Sequence, residues 1–93
     1  MGENLIMIDP AQSQQIKTYI IEKIIRRPGV TLEDSTPLVS SGLIDSLALV
    51  DILLKLEEVT NLRIPAGKVG AKDMDTIDLM FATAARVGKP RKK

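Results

Sequence analysis

The chain lacks two residue types that carry much of protein chemistry, since none of its 93 residues is cysteine or histidine. Without cysteine it can form neither disulfides nor thiolate metal sites. Without histidine it lacks the commonest metal ligand and the commonest general base. Neither absence identifies a compartment.

Aromatic residues and long apolar runs are also scarce. Tyr19 and Phe81 are the only aromatics, so a core must be built from Ile, Leu, Val and Met, which predicts modest stability for one small domain. The longest apolar runs, at residues 47–50 and 52–54, are far too short to span a bilayer. Residues 1–8 do not resemble a signal peptide. We expect a soluble, cytoplasmic monomer.

Positive and negative charges are nearly balanced, because 13 basic and 12 acidic residues leave a net charge of +1. This balance does not favour nucleic-acid binding across the whole surface. Residues 86–93 contain five basic groups and no acid. Such a segment can bind nucleic acid or a membrane surface, but a short one with Gly and Pro is typical of a frayed terminus. We therefore expect a domain over residues 1–88 and a basic flexible tail over 89–93.

The first periodic segment predicts a helix near residues 10–27. Asp9 and Pro10 suit a helix start, and Ile16, Ile20 and Ile24 recur on one face. Residues 28–45 have no sustained period and contain two prolines and two glycines. Loops of about 15 residues in compact domains are often functional. Four apolar side chains are expected to pin this loop to the core: Val30, Leu32, Leu38 and Leu43.

Two further helices are predicted near residues 46–60 and 76–87. Asn61 and Pro65 bracket the end of the first, and a short helical turn is expected near residues 68–71. Asp75 or Thr76 can cap the last helix, which carries Ile77, Met80, Phe81 and Ala84 on one face. The fold class is all-α, a small bundle of three to four helices with a long loop between helices 1 and 2.

The helix at residues 46–60 is apolar on more sides than a surface helix needs. Successive residues lie about 100° apart, so one broad arc forms a normal core face. Its members are Ala48, Leu49, Ile52, Leu53, Leu56 and Val59. A second, narrower arc beside Ser46 holds Leu47, Val50 and Leu54. Either the loop at residues 28–45 covers these three side chains, or they form an exposed surface for a partner.

Ser46 lies where the loop meets this helix, in the run Gly-Leu-Ile-Asp-Ser-Leu over residues 42–47. Serine is a good helix N-cap, but Asp45 can take that role and leave Ser46 in the first turn. No histidine or lysine nearby in sequence could activate Ser46 as a nucleophile, which argues against a serine hydrolase. A surface serine of this kind is better suited to modification by another enzyme.

The run Leu-Ile-Asp-Ser-Leu at 43–47, followed by Leu-Glu-Glu at 56–58 and Ile-Pro at 64–65, resembles the acyl and peptidyl carrier protein family. The resemblance covers roughly residues 16–86. It implies that a phosphopantetheinyl transferase moves a 4′-phosphopantetheine arm from coenzyme A onto Ser46, with Asp45 assisting through metal coordination. The positive end of the helix would favour the resulting phosphodiester. The imported thiol would hold an acyl or aminoacyl group as a thioester, so the protein would be a carrier and not an enzyme.

Three departures from the family pattern bear on the cargo. Thr60 replaces an aromatic residue, and the net charge is near zero where fatty-acid carriers are strongly acidic. The second helix carries Lys55, and a basic, glycine-rich segment with Lys68 and Lys72 follows at 67–72. The motif wording is closer to D-alanyl and aminoacyl carriers. We therefore expect an amino acid or short acyl cargo, loaded by an adenylate-forming or aminoacyl ligase that recognises the Leu47, Val50 and Leu54 arc mainly through apolar contact. A downstream acyl or aminoacyl transferase would receive it.

Two other functions remain open from the sequence. One is a helical adaptor that binds partners through Leu47, Val50 and Leu54 and is never modified. The other is a small nucleic-acid binder that uses the basic tail.

Overall fold

The computed structural model describes residues 9–27 and 29–90, and it begins with a capped helix. Helix α1 spans Pro10–Tyr19, and the Asp9 carboxylate accepts a hydrogen bond from the Ala11 amide at 2.8 Å. The chain continues as a π-helical segment, Ile20–Ile25, and ends at Arg26 in the left-handed conformation. The predicted helix near 10–27 is thus present, but its second half has wider turns. Ile21, Ile24 and Ile25 pack partly buried against the core alongside the buried Ile16 and Ile20.

The second helical segment begins with a 3-10 turn at Ser46–Ala48 and continues as α2, Leu49–Thr60. Asn61 ends it in the left-handed conformation with φ of 58°. Two further 3-10 turns, Ala66–Lys68 and Ala71–Met74, lead to helix α3, Ile77–Val87. The Thr76 hydroxyl accepts a hydrogen bond from the Leu79 amide at 3.0 Å, so Thr76 is the cap that the sequence offered as one of two choices.

The three helices pack against one another around a single apolar core. The faces predicted for α2 and α3 are confirmed, since Ile52, Leu53 and Leu56 are buried on α2. The buried apolar residues are Ile16, Ile20, Leu32, Leu38, Ile44, Ile52, Leu53, Leu56, Ile64, Met74, Ile77, Met80, Phe81 and Ala84. The predicted all-α bundle with a long connection between its first two helices is therefore confirmed.

A two-stranded antiparallel sheet was not predicted. Strand β1, Leu62–Arg63, pairs with β2, Lys89–Pro90, with Leu62 opposite Pro90 and Arg63 opposite Lys89. The regular structure thus continues two residues past the domain boundary expected at residue 88. Residues 91–93 lie outside the described residues, as do 1–8, and the division into a 1–88 domain and a 89–93 tail stays a prediction. Within the described ranges no helix is long and apolar enough to cross a membrane.

Candidate functional site

Ser46 lies exposed at the start of the second helical segment, as predicted. Its hydroxyl makes no hydrogen bond to any other residue that the structure describes. Asp45 takes the capping role instead, because its Oδ1 accepts from the Leu47 amide at 3.0 Å and its backbone is extended. The serine is therefore left free of the local hydrogen bond that would make it a structural cap.

The loop leading to Ser46 is anchored by apolar side chains. Leu32, Leu38 and Ile44 are buried, and Val30 and Leu43 pack partly buried against the core. Four of these anchors are those expected from the sequence, and the fifth, Ile44, belongs to the motif itself. The loop curls back on itself here, because the Ile44 amide donates to the Leu38 carbonyl at 3.0 Å.

Gly42 makes this tight return possible. Its φ of 80° lies in the region that side chains disfavour, and its amide donates to the Val39 carbonyl at 3.0 Å. The motif glycine before Ser46 is therefore a conformational requirement of the loop.

Asp75, next to the cap of α3, holds the same loop from outside. Its Oδ1 accepts from the amides of Val39 at 2.8 Å and Ser40 at 2.9 Å, and more distantly from Leu38 at 3.2 Å. Its Oδ2 accepts from the Ser40 hydroxyl at 2.7 Å. The Asp75 carbonyl also accepts from the Leu38 amide at 2.7 Å. We refer to these contacts of Asp75 with residues 38–40 as the Asp75 clamp.

The clamp favours the ionised carboxylate. The amide and the hydroxyl of Ser40 hold the pKa of Asp75 below its ordinary value, with further help from the Val39 and Leu38 amides. From the sequence, Asp75 was expected only as a possible cap of the last helix. No local pattern could show its true partners, which lie more than 30 residues earlier in the chain.

A second aspartate, Asp34, fixes the first half of the loop to α1. Asp34 Oδ1 accepts from the buried Ser13 hydroxyl at 2.7 Å and lies 3.0 Å from the Lys17 ammonium, both on α1. The Asp34 carbonyl accepts from the Asp78 amide at 2.9 Å, which ties the loop to α3 as well. The Ser13 hydrogen bond, followed by Lys17, lowers the pKa of Asp34 from its ordinary value.

The narrow apolar arc on the second helical segment is exposed. The exposed fractions are 82% for Leu47, 65% for Val50 and 59% for Leu54. The loop at residues 28–45 does not cover them, so the interpretation in which that loop buries the arc is wrong. We call these three side chains the apolar stripe. Large exposed aliphatic side chains grouped on one helix face are typical of an interaction surface.

The charged side chains that neighbour the stripe on α2 are held by other residues of the protein. The Lys55 ammonium lies 5.7 Å from the centre of the Tyr19 ring on α1 and 3.6 Å from Glu58 Oε1, and only 25% of its side chain is exposed. Lys55 is therefore held at the junction of α1 and α2. Glu57 is engaged too, because its Oε2 accepts from the Ile64 amide at 2.7 Å.

An apolar cavity opens beside the stripe. It has a volume of about 130 Å³ and lies between α2 and the two 3-10 turns, with Val50 shared between the stripe and the cavity wall. The rest of its lining comes from Leu49, Leu53, Ala66, Val69, Gly70, Ala71 and Met74. A larger open groove of about 540 Å³ lies along α1 near Lys55, but it contains none of the predicted site residues.

These features define a class of small helical protein that presents an unpaired serine hydroxyl at the start of a helical segment, beside an exposed apolar surface. A family model described as a phosphopantetheine attachment site matches residues 15–77, more than half of the chain. The chain belongs to this phosphopantetheine-attachment family, and its resemblance to acyl and peptidyl carrier proteins is confirmed. No curated protein and no solved structure gave a significant match.

The family carries 4′-phosphopantetheine covalently, which confirms the predicted cofactor. The residues present fit that group, because Ser46 offers an exposed, unpartnered hydroxyl at the start of a helical segment within the matched residues. The protein is thus a phosphopantetheine-carrying carrier protein, of a family that is generally non-catalytic.

Proposed function

We propose that Ser46 bears the 4′-phosphopantetheine arm and that the protein holds an acyl or aminoacyl group for partner enzymes. The observation that carries this proposal is the exposed Ser46 hydroxyl, which has no hydrogen-bond partner among the described residues and lies within the family match. When bound, the arm supplies the thiol that this chain lacks and so allows a thioester to form. The chain acts as the support and not as the catalyst.

Asp45 has two roles in this proposal. Its Oδ1 caps the helical segment through the Leu47 amide, which leaves its exposed second oxygen available to a metal ion held by the phosphopantetheinyl transferase. The helical segment that starts at Ser46 directs its positive end toward the modified serine, which stabilises a phosphodiester there.

The apolar stripe is the proposed docking surface for the transferase, for the cargo-loading ligase and for the downstream acyl or aminoacyl transferase. Leu47 and Val50 follow Ser46 by one and four residues, so an enzyme seated on them has the arm within its reach. Lys55 is held against Tyr19 and Glu58, so it does not direct its charge at a bound partner. This supports recognition mainly through apolar contact.

The proposed cargo is an amino acid or a short acyl group, as in D-alanyl or aminoacyl carriers. The cavity that shares Val50 with the stripe has room for a few methylene groups in its 130 Å³, but not for a long chain. An adenylate-forming or aminoacyl ligase is the matching class of loading enzyme.

The length of the cargo can be tested with arms that carry acetyl, butyryl, octanoyl or palmitoyl groups, each transferred to the protein from its coenzyme A thioester. We expect the melting temperature to rise up to butyryl and to gain nothing with palmitoyl; a steady rise up to palmitoyl would contradict a short cargo.

The sequence also left open an unmodified helical adaptor that uses the same stripe, Leu47, Val50 and Leu54, but the match to the phosphopantetheine-attachment family supports the carrier. A cytoplasmic location, a monomeric state and the absence of nucleic-acid binding stay predictions of the same proposal.

Intact mass separates the two functions. Incubation with coenzyme A and a broad-specificity transferase should add the mass of one phosphopantetheine group to the wild type and to Ser35→Ala, which removes another exposed loop serine. It should add nothing to Ser46→Ala. No gain in the wild type with several transferases would favour the adaptor.

A further inference from the structure

Outside Ser46 and the stripe, the most extensive set of hydrogen bonds is the Asp75 clamp. It joins the residue before the cap of α3 to the loop that precedes Ser46. We propose that Asp75 is a positioning residue for transfer of the arm, acting through residues 38–40 to present the Ser46 hydroxyl to the transferase. This inference rests on the proposed function, since it concerns how well Ser46 is modified.

The path from Asp75 to Ser46 is a short series of hydrogen bonds. The Asp75 carboxylate holds the amides of Val39 and Ser40. The Asp75 carbonyl holds the Leu38 amide, and the Leu38 carbonyl in turn accepts from the Ile44 amide. Ile44 precedes the Asp45 cap and Ser46 directly. The orientation of residues 38–40 therefore sets the direction in which the chain enters the helical segment.

The buried apolar side chains attach this loop to the core, whereas the Asp75 clamp fixes its orientation. Leu38 and Ile44 are buried and hold the loop onto the core. Ser40 is exposed, so without Asp75 its amide and hydroxyl can bond to water, and the cost to folding is small but measurable. Loss of the clamp should therefore loosen the orientation of the loop and leave the helices in place.

Positioning predicts a particular kinetic signature. The stripe governs docking, so its loss should act on KM, whereas misdirection of a docked hydroxyl should act on kcat. For Asp75→Ala we expect kcat for arm transfer to fall by about tenfold, with KM within about twofold of the wild type. Asp75→Asn keeps an acceptor oxygen for the amides and should recover part of the loss.

Asp78→Asn is the matched control. Asp78 is exposed, lies three residues away on α3 and has no hydrogen bond to its carboxylate from the described residues. The Asp78→Asn substitution removes one carboxylate charge, as Asp75→Asn does, and leaves the clamp intact. The kcat of this variant should therefore equal that of the wild type. Ser40→Ala removes the bond to Asp75 Oδ2 and should lower kcat by roughly twofold to threefold, with no further loss when it is combined with Asp75→Ala.

The experiment measures arm transfer from coenzyme A at a temperature well below the melting transition, together with amide hydrogen exchange. We expect faster exchange of the Ile44 amide in Asp75→Ala, with unchanged exchange in α2. If Asp75→Ala does not fold, Asp75→Asn and Ser40→Ala carry the same test. Wild-type kcat in all clamp variants that fold would overturn the positioning role while leaving Ser46 as the site. An unmodified wild type would overturn the proposed function and this inference with it.

Discussion

The carboxylate of Asp75 engages Ser40 through both of its oxygens, with the Ser40 amide 2.9 Å from Oδ1 and the Ser40 hydroxyl 2.7 Å from Oδ2. The two residues are 35 positions apart, yet they connect the start of the last helix to the loop that precedes Ser46. The fold thus supports its candidate modification site from two directions, by apolar anchors inside and by this polar contact outside.

Acid should weaken the polar supports of the loop. The pKa values of Asp34 and Asp75 are lowered from 3.8 in the folded protein, so each carboxylate stabilises the fold above pH 3.8 and loses this effect as the pH falls through its folded pKa. We expect the urea midpoint of the wild type to exceed that of Asp75→Asn at pH 6, and this difference to shrink below pH 3.8. Asp78→Asn, measured in parallel, accounts for the loss of one surface charge. A difference that grew in acid would show that the sign is wrong.

The two faces of α2 predict opposite responses to the same truncation. Leu56 is fully buried, so Leu56→Ala should lower the free energy of unfolding by about 2–5 kcal/mol. Leu54 is mostly exposed, so Leu54→Ala should change it by less than about 0.5 kcal/mol. Urea denaturation measures both. A silent Leu56→Ala together with an unfolded Leu54→Ala would reverse the assignment of the two faces.

Truncation of the apolar stripe should weaken docking. We expect Leu47→Ala and Leu54→Ala each to raise the KM for arm transfer by about fivefold or more, because each removes apolar contact with the transferase. Leu79→Ala removes an exposed leucine, 41% accessible, from α3 and is the matched control. Equal KM values for all three variants would remove the stripe from the docking surface.

The close approach of Gly88 to its neighbours predicts a local sensitivity at the end of α3. A β-carbon on Gly88 would meet the Ala84 carbonyl oxygen and would lie 3.0 Å from Leu62 Cδ1. Gly88→Ala should therefore lower the free energy of unfolding by about 1–3 kcal/mol. Gly67→Ala, where a β-carbon meets nothing within 4 Å, should leave the free energy of unfolding unchanged. Thermal denaturation of both variants measures the difference. Equal melting temperatures for both variants would show that Gly88 is not packed against Ala84 and Leu62 as described.

The helices and the exposed position of Ser46 could be predicted from the sequence because their signals are local. Apolar residues repeating along α2 and α3 identified their buried faces, and Asp45 could be recognised as a possible cap from its position beside Ser46. Whether the stripe was covered could not be decided, since periodicity shows which residues share a face and not what lies over it. That answer required the path of the loop.

The features that the sequence did not reveal depend on distant pairs or on very short elements. The Asp75 clamp joins residues more than 30 positions apart, and strands of two residues such as Leu62–Arg63 have no period to detect. The wide turns at Ile20–Ile25 share the apolar pattern of an ordinary helix, so composition alone does not distinguish them.

The central claim, that Ser46 bears the arm, is tested most directly by locating the modification within one peptide. Trypsin should release residues 27–55 as a single peptide, because Pro28 protects the bond after Arg27, and this peptide contains Ser35, Ser40, Ser41 and Ser46. After incubation with coenzyme A and a transferase, fragment masses from this peptide identify the modified residue. We predict that every fragment containing Ser46 carries one phosphopantetheine group and that fragments ending before it carry none. An arm on any of the other three serines, or none on the peptide at all, would contradict the account.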